Sequence, residues 1–456
     1  MDLETIRNRL LANNVGQIYF SGSFLRLKNS VTFRRVFAGT FWNALLNIYG
    51  KGISFIGTVI IIRLLGREAF GEFGMLNTTI SMFGMFTTFS ISQTATKYIA
   101  QYRNSDKNKA GRIIGLSFLF SASLGILVFL MVSIFADVIA EKSLNAPNLS
   151  GYLKIMAIGL LFGAVNGAQN GIISGFEAFK TNALVGVLSG TVLTVFKVLL
   201  TYFYGFRGAV FGMTAEPVFT YLITMIVTRK VMHRNQTRIL FKGALSELTI
   251  LFNYSLPSLL TGLLVFPTNW YTLTILAKSD GGYSEVGAYN AANQWYNVMI
   301  FIPYILVSTF LPVFSEMLSK NQKDEVNRII KNALLLITAI FILLSLIFLV
   351  FGEKITLIYG SEFKGTGFLL AVAVFTLLPQ AIIIVLSNLV AAMDKMWFVF
   401  WVNAVWCIAF IGFTYLFISS GALGLLLARL AAFLGSLILM GYYYHNWKTT
   451  QEKVIR

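Results

Sequence analysis

A single cysteine, two histidines and few charges stand out in a chain of 456 residues, of which only 12% are Asp, Glu, Lys or Arg. Cys407 is the one cysteine, so no intrachain disulfide and no cysteine-based metal site can form. His233 and His445, both beside basic helix ends, offer no histidine pair for a metal or a proton relay. No glycine-rich phosphate loop or nucleotide motif occurs, which argues against ATP hydrolysis. No large polar loop is available to carry catalytic acids or bases, so an enzyme is the least favoured class, and no cofactor or metal is expected. The first forty residues, with Arg7, Arg9, Arg26, Lys28, Arg34 and Arg35, lack the apolar core and cleavage pattern of a signal peptide.

Long apolar runs are what the chain has instead. Apolar residues make up 56% of the sequence and the mean hydropathy is +0.73, more than a soluble domain can bury. Twelve stretches approach or exceed the roughly 20 residues a helix needs to cross a bilayer: 41–63, 73–97, 113–136, 153–175, 182–204, 208–228, 250–276, 287–313, 329–351, 367–388, 397–418 and 421–443. The expected fold is an all-α polytopic membrane protein with about twelve transmembrane helices.

Charge orders these spans. The N-terminal segment, the even-numbered gaps and the C-terminal tail carry 25 of the 36 Lys and Arg residues, against 8 in the odd-numbered gaps. That excess predicts cytosolic termini in a plasma membrane. The largest clusters are Arg103, Lys107, Lys109 and Arg112, and then Arg229, Lys230, Arg234, Arg238 and Lys242. The net charge of +17 lies in short juxtamembrane loops, which fits membrane lipids rather than nucleic acid.

The chain also repeats itself. Gly71 and Asn77 near the start of span 2 stand 216 residues before Gly287 and Asn293 in span 8, and Gly208-Ala209 matches Gly421-Ala422 at 213. Two six-helix lobes related by an axis along the membrane normal follow, suited to rocking about a site between them. The expected organisation is a cytosolic lead-in (1–40), a first lobe (41–228), a basic connector (229–249), a second lobe (250–443) and a cytosolic tail (444–456). On the 213-residue offset, Glu216 and Arg429 occupy equivalent places.

Polar residues inside the spans point to a wet interior, because lipid offers them no partners. Asn43, Asn47, Lys51, Ser54 and Thr58 share one helical face of span 1. Span 2 has Asn77, Ser81 and Thr88; span 7 has Ser258, Thr261, Thr268, Asn269 and Thr272; span 8 has Asn290, Asn293, Gln294 and Asn297. Four stripes at matching places in both halves predict a shared cavity, with hydrogen bonding between helices as the alternative.

Four charged residues fall well inside spans: Lys51, Lys197, Glu216 and Arg429. A cation at that depth costs roughly 3 kcal/mol on insertion scales and needs an anion or water. Lys51, near the centre of its helix, is the leading candidate to bind an anionic headgroup such as a phosphate or pyrophosphate. Glu216 is expected to pair with a buried cation such as Lys197, with ion coupling as the other role. Pro217, Pro257, Pro267, Pro303, Pro312 and Pro379 mark bends within spans.

The junction Leu64-Leu65-Gly66-Arg67-Glu68-Ala69-Phe70-Gly71 resembles that of the Wzx-type, lipid-linked oligosaccharide flippases of the multidrug/oligosaccharidyl-lipid/polysaccharide (MOP) exporter superfamily. So do Pro257, Glu285-Val286-Gly287-Ala288-Tyr289, Leu311-Pro312-Val313-Phe314-Ser315, Ile358-Tyr359-Gly360-Ser361-Glu362-Phe363 and Gly421-Ala422-Leu423-Gly424. The resemblance covers roughly residues 38 to 445. It implies a MATE-like fold and export of a polyprenyl (pyro)phosphate-linked glycan, with membrane lipids and glycan-assembly enzymes as partners. On that resemblance Lys51, Lys197 and Arg429 would attract phosphates. Asn43, Asn47, Asn77, Asn269, Asn290, Asn293, Gln294 and Asn297 would bond sugar hydroxyls, while Tyr271, Trp295 and Tyr296 stack on sugar rings. Many relatives have an aspartate late in span 7, where this chain has Thr268-Asn269-Trp270, and an Asn cannot titrate as a carboxylate. A drug or cation antiporter of the same superfamily is the alternative, and the shortage of buried acids disfavours it.

Overall fold

The computed structural model describes the backbone of residues 31–307 and 310–455, and within them all side chains except those of 31–47, 88–90, 249–261, 312 and 450–455. Among the described residues there is no strand. The first half comprises α1 (Val31–Leu65), α2 (Arg67–Tyr102), α3 (Lys107–Val138), α4 (Ser150–Gly175) and α5 (Phe179–Arg234). The second half comprises α6 (Leu248–Ala277), α7 (Gly282–Met299), α8 (Phe301–Val307), α9 (Phe310–Ser319), α10 (Lys323–Thr356), α11 (Gly367–Phe375), α12 (Leu377–Ala392), α13 (Met396–Phe417) and α14 (Gly421–Ile455). Over their described residues the twelve expected spans are helical apart from breaks at Ile300 and Thr376 and a short turn at Ile418. Helix α1 begins ten residues before the expected first span, and α14 runs twelve beyond the last.

Local chemistry sets the breaks. Gly205 divides α5 into spans 5 and 6 with φ 57° and ψ −134°, a conformation that an L side chain resists. Helix α7 stops at Met299, four residues before Pro303, and α11 stops at Phe375, four residues before Pro379. Proline has no N–H to donate to the carbonyl four residues earlier, so each helix loses a bond at that point.

The internal repeat is visible in backbone angles, and it corrects one expectation. Gly421 has φ 59° and ψ −135°, nearly those of Gly205, and stands 216 residues later. Gly208 and Gly424 are likewise 216 apart, and a Cβ on either would sit 1.8 Å from the carbonyl oxygen of Leu200 or Phe417. The 213-residue match of Gly208 with Gly421 is therefore out of register. Glu216 corresponds to Ala432, and Arg429 to Met213, so the two charged residues are not equivalent.

The lobes meet where α2 packs on α6 and α7. Two repeat-related glycines make the closest approach. A Cβ on Gly71 would lie 1.9 Å from the Tyr283 oxygen, and one on Gly287 would lie 1.9 Å from the Arg67 oxygen. Around this contact, at the face of the Gly66 junction, polar bonds tie one half to the other. Arg67 donates from Nε to the Ser284 carbonyl (2.9 Å) and from Nη2 to Glu285 (2.6 Å). Its backbone N–H, at the exposed N-terminus of α2, donates to Glu362 at 2.7 Å. The second Glu285 oxygen accepts from the Ala422 N–H at the start of α14, and the Tyr283 hydroxyl donates to the Leu144 carbonyl, both at 2.7 Å. On the opposite face the connector lies against α3, with the Leu240 N–H bonded to the Gly111 carbonyl and Arg112 paired with Glu247 at 3.1 Å.

Candidate functional site

Between the lobes lies a cavity of about 570 Å³. Its walls come from α1 (Ser54, Thr58), α2 (Asn77, Thr78, Ser81), α5 (Lys197, Met213), α6 (Asn269), α7 (Asn290, Asn293, Gln294, Asn297), α12 (Gln380), α13 (Trp406) and α14 (Arg429), with Phe70, Phe73, Phe266 and Phe433 between them. The polar stripes of spans 1, 2, 7 and 8 thus meet in one space. Asn43 and Asn47 lie outside the described side chains, as do Thr88, Ser258, Thr261, Pro257 and Pro312.

Arg429 dominates the electrostatics. It is 4% exposed, deep in the second lobe. Its Nη1 donates to Asn293 Oδ1 at 2.8 Å and to the Tyr289 hydroxyl at 3.3 Å, and its Nη2 to Thr376 Oγ1 at 3.2 Å. The guanidinium stacks on Tyr296, 4.1 Å from the ring centroid, and the Tyr296 hydroxyl donates to Gln380 Oε1. Its partners are neutral; among the described residues no carboxylate pairs with Arg429. Its Nε is buried without an acceptor, as are Asn290 Nδ2 and Trp406 Nε1, which line the same cavity. These surplus groups are donors, each costing about 1–3 kcal/mol until an acceptor arrives. Among the described residues no Asp or Glu lines the cavity.

The remaining charged candidates are arranged differently. Lys197 reaches the cavity wall with its Nζ 3.5 Å from Glu216 Oε2, the ion pair expected for that acid. Lys51 is exposed and does not line the cavity; its Nζ sits 5.5 Å from the ring centroid of Phe301 on α8. Near it Phe55 meets Trp295 edge-on at 4.7 Å, and Trp295 packs on Phe348 at 5.0 Å, so that indole is held between helices. Tyr271 is also turned away, sharing a 2.6 Å hydrogen bond with Tyr415, and of the three aromatic candidates only Tyr296 faces the cavity. Gln380, Thr376 and Trp406 are functional-site residues that the sequence reading missed. Gln380 follows Pro379 at the α11–α12 break, a signal available in the sequence.

Among the perturbed titratable groups outside the spans, Glu72 lies beside the contact between the halves. Burial beside the junction pushes the Glu72 carboxyl up, against the opposing effect of a weak bond from Asn148. Among the described residues no cluster of His, Cys, Asp and Glu could hold a metal ion.

The fold of the described helices is shared with solved transporters of the MOP superfamily. An inward-facing multidrug resistance MATE family transporter of that superfamily superimposes with a TM-score of 0.75 at 16% identity, over 88% of this chain and 96% of the other. The lipid II flippase MurJ in an inward closed conformation gives 0.69 at 14% identity, over 88% and 87%. Residues 36–318 match the polysaccharide biosynthesis protein family, and the chain belongs to that family. Among curated relatives, the EPS I polysaccharide export inner membrane protein EpsE of Ralstonia solanacearum is 22% identical over 388 residues, 82% of this chain and 85% of the relative. The probable low-salt glycan biosynthesis flippase Agl15 of Haloferax volcanii is 22% identical over 356 residues, 76% of this chain and 70% of the relative.

Proposed function

We propose that this protein is a flippase that moves an isoprenoid (pyro)phosphate-linked oligosaccharide from the cytosolic to the outer leaflet by alternating access, for surface polysaccharide or glycan assembly. The observation that carries this is Arg429, a buried cation surrounded by spare hydrogen-bond donors, with no counter-ion and no lining acid in its cavity among the described residues. An anionic phosphate supplies what those groups lack. The amides of Asn77, Asn269, Asn290, Asn293, Gln294 and Asn297 then bond sugar hydroxyls, and Tyr296 supports the guanidinium plane. Lys51, outside the cavity and beside α8, meets the headgroup as it arrives from the lipid.

Membership of the polysaccharide biosynthesis family and the names of the relatives support the glycan class. The proposed topology has both termini cytosolic, lobes at 41–228 and 250–443, and the basic connector on the cytosolic side. A drug or cation antiporter is less well supported, because a cationic substrate would meet Lys197 and Arg429 with no acid on the wall among the described residues. The test is the sidedness of lipid-linked oligosaccharides in cells depleted of the protein, read with a glycan-specific probe on sealed, oriented vesicles. Complete glycans should accumulate on the cytosolic leaflet. Normal outward display, with no redundant exporter present, would overturn the proposal.

A further inference from the structure

The segment that joins the two halves is held against α3 at a strip where glycine alone leaves room. After α5 ends at Arg234, residues 237–241 run along α3 without helical structure. The Leu240 N–H donates to the Gly111 carbonyl at 3.0 Å. A Cβ on Gly111 would lie 2.4 Å from the Arg238 oxygen, and one on Gly115 would lie 2.3 Å from the Leu240 oxygen, so the two backbones touch directly. The chain then turns at Gly243, with φ 77°, and Glu247 pairs with Arg112 at 3.1 Å. Ala244 packs with Leu116, and Phe120 and Leu248 close over them. The connector is thus a strap fixed to the first lobe, and through Leu248 it also holds the first residue of α6.

The outer surface of the strap is amphipathic. Phe241 is 56% exposed and Leu245 64%, and Arg238 and Lys242 are exposed beside them. The contacts with α3 set the depth of these side chains. Leu240 lies against Gly111 and Gly115 and Ala244 against Leu116, while the expected span of α3 begins at residue 113. Phe241 stands between those contacts, within roughly 5 Å of the level where α3 enters hydrocarbon, at about 1.5 Å per residue. An aromatic and a leucine at that level, flanked by cations, fit the boundary between headgroups and acyl chains, where the apolar side chains insert and the charges stay with the phosphates. A soluble acidic partner meets the cations but does not reach side chains at that depth.

We propose that the connector is a membrane anchor that binds anionic phospholipid headgroups through Arg238 and Lys242, with Phe241 and Leu245 inserted at the acyl boundary, and so docks this end of the first lobe on the bilayer surface. On the proposed topology the leaflet is the cytosolic one, whose negative surface potential attracts basic juxtamembrane segments. Neither glycan transport nor an anion in the cavity between the lobes enters the argument, so the anchor stands or falls separately from the flippase reading.

The test places an NBD fluorophore on Leu245→Cys of the full-length protein, in a Cys407→Ser background and in phosphatidylcholine nanodiscs. Two quenchers are compared over a series of mole fractions: phosphatidylcholine and phosphatidylglycerol, each with a nitroxide near the top of one acyl chain. Phosphatidylglycerol should reach half-quenching at a mole fraction about 5-fold lower or more, the effect of one basic side chain near an anionic surface. Replacing Arg238 and Lys242 together with glutamine should bring the two curves together. Both side chains are exposed, so the thermal unfolding midpoint should stay where it is. Salt at about 1 M should remove most of the difference, as expected of screened surface charges. Equal quenching by the two lipids in the unaltered strap would overturn headgroup recognition, and quenching by neither would show Leu245 in water and overturn the anchor. A phosphatidylglycerol preference that survives the double substitution would overturn the assignment to Arg238 and Lys242.

Discussion

Replacing Arg429 with methionine separates a ligand-binding cation from a structural one. The guanidinium makes three hydrogen bonds, to Asn293, Tyr289 and Thr376, all with neutral partners. Methionine keeps most of the side-chain volume and frees no buried carboxylate. The lost bonds, about 1 kcal/mol each, are offset by removal of a buried charge that has no counter-ion. The net change in fold stability is therefore expected to stay within about 2 kcal/mol of zero. A phosphate, by contrast, loses its charge-assisted contact, worth about 1.5–3 kcal/mol, which weakens binding roughly 10- to 150-fold. The assay pairs thermal unfolding of purified Arg429→Met with transbilayer movement of a lipid-linked oligosaccharide in proteoliposomes. Arg429→Lys should recover part of the transport, since an ammonium keeps the charge but cannot reproduce the planar fork. Wild-type transport by a normally folded Arg429→Met protein would refute the anion reading, and loss of folding by more than about 3 kcal/mol would recast Arg429 as a structural residue.

The junction face gives further tests. Glu285→Ala removes the Arg67 pair and the acceptor for the Ala422 N–H. Both charged partners are three-quarters buried or more, so the loss of about 1–2 kcal/mol should favour opening at that face by roughly 5- to 30-fold. Labelling of Ser81→Cys by an impermeant maleimide, in a Cys407→Ser background, should speed up accordingly, and an unchanged rate would show that these bonds do not hold the face shut. Gly71→Ala drives a methyl into the Tyr283 carbonyl, a backbone atom that cannot rotate away; it should lower the unfolding midpoint and raise the same labelling rate. Glu72 has a raised carboxyl, so the folded state favours its protonated form, and that contribution is present at acidic pH and lost as pH rises through the shifted value. Glu72→Gln should therefore raise the midpoint at neutral pH and change nothing well below the carboxylate range.

Much of this architecture was legible because membranes impose simple rules. Each span announces itself by length and apolarity, and the stripe Asn290, Asn293, Gln294 and Asn297 announces a wet face by its spacing alone. Periodicity gives a face but not its bearing in the bundle. That is why Lys51, in register with Ser54 and Thr58, lies outside the cavity while those two line it. The offset in span 12 slipped by three residues because Gly-Ala pairs are common in helices, whereas the positive φ of Gly205 and Gly421 fixes the true alignment and no sequence displays it. Thr376, Gln380 and Trp406 stayed hidden for another reason. These polar groups follow no helical stripe within their apolar spans and take their meaning from helices far away in the chain.

A buried guanidinium with no carboxylate partner among the described residues also makes the empty protein an electrical object. A positive charge that shifts across the bilayer field gains or loses about 2.3 kcal/mol per 100 mV for a full crossing. On the proposed topology, with the termini cytosolic and the cell interior negative, the voltage draws unliganded Arg429 toward the cytosol and favours a cavity waiting on that side. A pyrophosphate reverses the sign of the load, and the same field then pushes the occupied cavity outward. Under the proposed alternating access, a buried arginine with no carboxylate beside it among the described residues would thus let a resting potential bias both strokes of the cycle.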